Sequence, residues 1–447
     1  MRQSGEIALV NSTDSLWVKT DQKVNKIRFR PFPERIDSQS TIKMFIELDD
    51  DIQNSYIKIE YRLNNAENNS FQIIGEYNDR SKTFEIKIDF NNIIVNNNYI
   101  GYTERLVWEP NGIVNFILFG KSGSYKGTYL DASKWMTDSI NLLGDVPLGA
   151  LCILGSHDAG MDELTTHTQH GAECNTLTQS QSIFNQLYLG VRYLDIRPVI
   201  KNGAFFAGHY SHNTKVPQGG TGQPIENIIS DINSFTLASK SRNEVIMIRL
   251  SHDLNVDLDK SFTQEEWDQL FSRLDRVNYL YDFDHPIDDR FTVQSVKLND
   301  FTKNGTRAAI LFVVENNQVN LGRRNRKGFF YAKNFPIYDS YSNTNDMNSM
   351  AEDQIDKMKT NAKEHYFLLS WILTQQWYDL SCDLYEDYNK TIMRMAKIAN
   401  KNLFFKLYQH INLKEYIYPN IIYIDNVKDS NPAALSMAIN FSLLLDK

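Results

Sequence analysis

The chain has 447 residues, 42% of them hydrophobic and 23% charged, an ordinary globular composition with material for two or three cores. Its formal net charge of −8 argues against a general nucleic-acid binder, which needs a basic face. No apolar run reaches the roughly 18 residues that a membrane span requires.

The opening, "MRQSGEIALVNSTDSLW", lacks a basic segment followed by an apolar one, so no ordinary secretory signal is read there. A chain whose leader had been removed would look the same. The expected location is therefore secreted or peripheral at a membrane surface if a leader was lost, and cytoplasmic otherwise. Up to about residue 125 the runs "TIKMFIEL", "SYIKIEYRL", "SFQIIGEY", "KTFEIKIDF", "YIGYTERLVW" and "GIVNFILFG" alternate and are rich in β-branched and aromatic residues. Turn clusters such as "NNAENN" and "NDRSK" separate them. Closely spaced strands without a helical period predict a small antiparallel β-sandwich over 1–125. "KSGSYKG" then reads as a linker.

From about residue 130 to 447 apolar runs alternate with amphipathic helical patterns, which predicts an α/β domain, a distorted TIM-type (β/α) barrel. The strand runs are "ALCILG", "VRYLDIR", "EVIMIRL", "AAILFVV", "FPIYDSY", "YFLLSWIL" and "NIIYIDNV", with an eighth strand unassigned. "NGAFFAGHY" follows the second run too closely for a helical crossover and reads as a hairpin arm over the barrel mouth. Cys152, Cys174 and Cys382 are too few for a disulfide scaffold and suit no zinc spacing, so idle or buried thiols are expected.

Barrels of this kind carry their chemistry at the C-terminal ends of the strands. Here those ends are reactive: His157 and Asp158 after the first run, Asp195 and Arg197 in the second, and His209 on the hairpin arm. Ser251, His252 and Asp253 follow the third run, Asp339 and Tyr341 the fifth, and Asp425 lies in the last. Each alone could be structural; an Asp there often caps the next helix. Together, two histidines, carboxylates and an arginine make an acid/base pair around an anion clamp. No HExxH pair points to zinc and no GxSxG elbow to a serine hydrolase; "THTQH" (His167, His170) is at most a loop metal candidate. Two histidines with an arginine suit phosphodiester cleavage. One takes a proton from an attacking hydroxyl, the other protonates the leaving oxygen, and arginine neutralises the phosphate.

"LGSHDAG", "LGVRYLDIRP" and "GHYS", in that order and spacing, resemble the X-type catalytic region of phosphatidylinositol-specific phospholipase C, the bacterial type more than the animal type. The resemblance covers about 130–447. It implies a phospholipase C-type lyase that opens phosphatidylinositol by attack of the inositol 2-hydroxyl, giving diacylglycerol and an inositol cyclic phosphate. It implies His157 as general base oriented by Asp425, and His209 as general acid assisted by Asp158. Arg197 would hold the phosphate, with Asp195 beside it. Asp339 and Tyr341 would receive the inositol ring, on shorter motifs. Ser251 stands where bacterial relatives place a basic residue for ring hydroxyls, and Glu315 departs similarly, so the headgroup stays open.

The calcium cage of animal relatives is short of carboxylates here, because Tyr193 and Ser251 stand at two of its positions; no metal and no cofactor are expected. The expected partner is a phospholipid at a membrane surface, with no nucleic acid and no stable protein partner. Tyr210, Trp377 and Tyr378 are candidate rim aromatics. Two other readings stand beside this one. One is a barrel phosphodiesterase for a different headgroup; the other is a non-catalytic module that binds phosphoinositol or glycan.

Overall fold

The computed structural model describes residues 3–63, 69–211, 217–238, 244–283, 292–376 and 390–445. It divides into two compact units, one of 1–130 with 400–415 and 434–447, the other of 131–399 with 416–433. The span expected for the barrel, 130–447, thus contains two stretches that group with the first unit.

The first unit holds a five-stranded and a six-stranded sheet. Aromatic and branched side chains of both enter one core: the ring of Trp17 lies 4.9 Å from Phe71 in its own sheet and 6.2 Å from Phe116 in the other. The expectation of purely antiparallel pairing is corrected here. Ser4–Thr13 pairs parallel with Ile113–Gly120 and antiparallel with Ser40–Leu48, so the five-stranded sheet is mixed. Seven of the ten residues of Ser4–Thr13 in succession are buried, so it shows no in–out alternation. That is why sequence patterning missed it.

In the second unit eight strands form one parallel sheet: β1 (Ile153–Ser156), β2 (Val191–Ile196), β3 (Val245–Leu250), β4 (Ala309–Val314), β5 (Phe329–Tyr331), β6 (Tyr338–Asp339), β7 (Phe367–Ser370) and β8 (Ile421–Ile424). Their order is β5-β4-β3-β2-β1-β8-β7-β6, the succession of a (β/α) barrel left open between β5 and β6. The strand that sequence reading left unassigned is β5, "FFY". Only short 3₁₀ turns flank it, so no helical period announces it. The strand interiors are dry; all six residues of β4, "AILFVV", are buried. Covering helices follow the apolar spacing. In Gln264–Leu274 the buried residues are Trp267, Leu270, Phe271 and Leu274, an i, i+3, i+4, i+7 stripe. Thr263 and Glu266 cap it reciprocally, Glu266 accepting from the Thr263 backbone at 2.7 Å.

The arm after β2 is a hairpin, Pro198–Lys201 paired with Ala204–Ser211, extended by Gln218–Pro224. Among the described residues no helix is long and apolar enough to cross a membrane. Cys152 is a buried thiol outside any disulfide, whereas Cys174 is disulfide-bonded, which the expectation of idle thiols did not include.

Candidate active site

The turn after β1 brings the first two residues of the site. The His157 amide donates to the Ile424 carbonyl at 3.1 Å, and the Gln179 side chain donates to the His157 carbonyl at 2.9 Å, so the turn is pinned from both sides. Asp158 takes φ 39°, a left-handed conformation that Asp tolerates better than most residues. Small residues finish the motif for a steric reason. A Cβ on Gly160 would lie 2.4 Å from the Cβ of Ala207, on the hairpin strand that carries His209 two residues later. Glycine there lets the arm press against the turn.

Around this turn the polar groups converge. His157 Nδ1 is 2.7 Å from Asp425 Oδ1, and its Nε2 is 2.9 Å from a terminal nitrogen of Arg197. A proton on Nε2 would set two donors face to face. The ring in this arrangement is therefore the neutral tautomer, giving Nδ1–H to Asp425 and accepting from Arg197. Arg197 Nε lies directly against Asp158 Oδ1 as an ion pair, without the alignment of a hydrogen bond, and 3.4 Å from Asp195 Oδ2. Asp195 accepts from the Ser251 hydroxyl at 2.9 Å and the Tyr423 hydroxyl at 2.7 Å. His209 Nδ1 donates to the Thr176 carbonyl at 3.1 Å and stands 3.8 Å from Asp158 Oδ2. The two imidazole centroids are 6.4 Å apart at 73°.

The electrostatics differ at the two rings. Burial opposes charging of His157, but Asp158 and Asp425 outweigh it and raise its proton affinity, so the neutral ring takes a proton on Nε2 readily once Arg197 moves off it. Burial together with the neighbouring Arg197 and His157 pushes His209 down to about 4. Asp195 is buried, yet Arg197 and Arg249 hold its carboxyl well below the usual range. Asp158 has no aligned donor and burial pushes it up. Burial keeps the Tyr423 phenol protonated and so a donor to Asp195.

His157, Asp158 and Asp195 each offer a ligand atom within 4.8 Å of the others, a group of the size that holds a cation. The Arg197 guanidinium already contacts all three. One imidazole and two carboxylates shared with an arginine do not fit calcium, which asks for six to eight oxygens.

The residues expected to bind substrate divide. Ser251 is buried and its hydroxyl donates to Asp195. Asp339 accepts from Arg249 at 2.6 Å, and Arg249 also donates to Glu315 at 2.6 Å. Tyr341 is 59% exposed. Tyr210 is partly buried, His167 and His170 lie exposed apart from the cluster, and Trp377 and Tyr378 fall outside the described residues. Sequence reasoning missed Arg249, Tyr423 and Gln179. Arg249 could have been found: it faces Asp195 in register, and a lone charge at period two in "VIMIRL" points inward with it.

No family model matches the chain. A curated relative from Dictyostelium discoideum, named PI-PLC X-box domain-containing protein, is 26% identical over 186 residues, covering 38% of this chain and 23% of the relative. The chain thus spans about a quarter of that relative's length. Among solved structures, the phosphatidylinositol-specific phospholipase C of Listeria monocytogenes aligns over 71% of this chain and 100% of its own, at 18% identity and TM-score 0.48. A variant of the Staphylococcus aureus enzyme aligns over 70% and 98%, at 14% identity and TM-score 0.45. The chain is similar to the PI-PLC X family, as its three motifs imply.

Proposed function

We propose that the chain is a phospholipase C-type lyase acting on phosphatidylinositol lipids at a membrane surface. The observation that carries this reading is the pair of imidazoles 6.4 Å apart with Arg197 against one of them. The name of the Dictyostelium relative supports the same class.

The chemistry runs as follows. Arg197 swings from His157 to the anionic phosphate, freeing the Nε2 lone pair. His157 then takes the proton of the inositol 2-hydroxyl, and Asp425 steadies the imidazolium that forms. The alkoxide attacks phosphorus, and the bond to the diacylglycerol oxygen breaks as His209 gives that oxygen a proton. Asp158 favours the charged form of His209. A bound phosphodiester carries the negative charge that lifts His209 from its low proton affinity, so the acid is armed on binding. The cyclic phosphate opens afterwards, with water entering by the reverse proton path. Each proton transfer is worth about 10²–10⁴ in rate. We read the two sheets of the first unit as a sandwich without chemistry of its own.

The test is turnover of phosphatidylinositol micelles by His157→Ala and His209→Ala, with vesicle binding measured in parallel. Loss of at least about 10² in kcat with binding retained is expected; full turnover by either variant would reject the assignment.

A further inference from the structure

We infer that Arg249 is a positioning residue for the headgroup, acting through Asp339 and Glu315. This rests on the phosphatidylinositol reading above and concerns the ring side of the same pocket.

The reason lies in the opening of the sheet. β5 and β6 are its two edges, and among the described residues no ladder joins them. β6 is only two residues long and ends with Asp339, paired on one side alone, to β7. Its carboxylate therefore depends on something other than strand pairing to be fixed against the phosphate clamp. Arg249 supplies that link. It projects from β3, on one arm of the open sheet, and donates at 2.6 Å to Asp339 at the edge of the other arm. Its second terminal nitrogen donates at 2.6 Å to Glu315, which follows β4. A single planar guanidinium thus braces the seam at its catalytic end. A lysine, a point charge on a flexible stem, could not hold two carboxylates in one plane.

The brace is also tied to the phosphate side. Arg249 is the register partner of Asp195, and Ser251, two residues further along, donates to Asp195 at 2.9 Å. One inward-facing row thus links the phosphate clamp with the ring-side carboxylates. Arg249 engages one oxygen of each carboxylate, and the carboxylates then accept from ring hydroxyls held at a fixed distance from the phosphate. One positive and two negative groups leave this wall net negative. A neutral polyol ring suits it; a ring bearing its own phosphate does not.

The experiment uses wild type, Arg249→Met, Arg249→Lys, Asp339→Asn and the double variant Arg249→Met/Asp339→Asn. Each is assayed on phosphatidylinositol in mixed micelles, and free myo-inositol is used as a probe by saturation-transfer NMR. Each of Arg249→Met and Asp339→Asn raises KM about tenfold, the size of one charge-assisted hydrogen bond, with the smaller share falling on kcat. The double variant stays well below the hundredfold product, because part of what Arg249 does passes through Asp339. Arg249→Lys falls between, and inositol transfer drops in parallel with KM.

An unchanged KM in Arg249→Met overturns the inference, as does a hundredfold, multiplicative loss in the double variant. So does a fall in kcat with KM and inositol transfer intact. Should Arg249→Met not fold, Arg249→Lys and Glu315→Gln are read by the same criteria. Failure of wild type to release a cyclic phosphate rejects the underlying reading instead, and the inositol signal then decides the role of Arg249 alone.

Discussion

Replacing Asp158 with Asn tests how one buried carboxylate serves both histidines. Its Oδ2 lies 3.6 Å from His157 Nε2 and 3.8 Å from His209 Nδ1, and its side chain is fully buried. At an effective dielectric of about 20, a unit charge at that range is worth about 4 kcal/mol to each imidazolium, or about three pKa units. His209 already titrates near 4 because burial, Arg197 and His157 disfavour its charge. Without Asp158 it loses the nearest carboxylate that favours its protonated form. The expected result on phosphatidylinositol is a loss of about 10²–10⁴ in kcat, the full value of general-acid help. The decisive assay changes the leaving group. On an inositol nitrophenyl phosphate, whose leaving oxygen departs without a proton, His209→Ala should lose less than about tenfold, because only proton donation was removed, and Asp158→Asn should lose less than it does on phosphatidylinositol, keeping only the share that falls on His157. His157→Ala should lose its full factor on both substrates. Equal losses on both substrates for Asp158→Asn would refute the assignment of Asp158 to the acid.

Further outcomes follow from the same geometry. The folded pKa of His209, about 4, lies below the unfolded value near 6.5, so the folded chain binds fewer protons between them and stability falls as pH drops through that window. His209→Ala should flatten that acid limb of Tm against pH, and calorimetry at pH 5.5 in two buffers should show proton uptake when wild type binds a phosphodiester inhibitor. No uptake would contradict arming of the acid by the phosphate. Arg192 and Glu244 are both fully buried and paired at 2.7 Å, with Arg192 also donating to the Leu187 and Ser133 carbonyls at 2.8 Å. Arg192→Met should cost about 3–5 kcal/mol in urea unfolding, by stranding the Glu244 charge, and leave kcat unchanged; a cost below about 1 kcal/mol would show that Glu244 neutralises itself. Gly160→Val should push the hairpin off the turn through Ala207 and cost about 10² in kcat by misplacing His209; wild-type kcat would show that the arm repositions freely.

The sequence disclosed most where a period was clean. The alternation Tyr193, Asp195, Arg197 runs along one face of β2 into the residue that follows it, and the amphipathic stripe of Gln264–Leu274 is plain in "WDQLFSRL". It disclosed least where structure suppresses the period. Ser4–Thr13 is buried along nearly its whole length, and β5 has three residues with no helix on either side, so neither shows alternation. In the site, residues beside the "GSHDAG" motif were legible, whereas Tyr423 and Gln179 act from positions where an apolar or loop reading suffices. Arg249 lay in view within an apolar strand, but its partners come from segments far along the chain, Glu315 after the neighbouring strand β4 and Asp339 on β6.

The most direct test is phosphorus NMR of phosphatidylinositol micelles mixed with the protein in excess EDTA. The account predicts a cyclic phosphodiester resonance as the first product, at an undiminished rate, because Arg197 rather than a metal carries the positive charge beside His157. An inositol monophosphate formed from the outset, or turnover that needs added calcium, would contradict it.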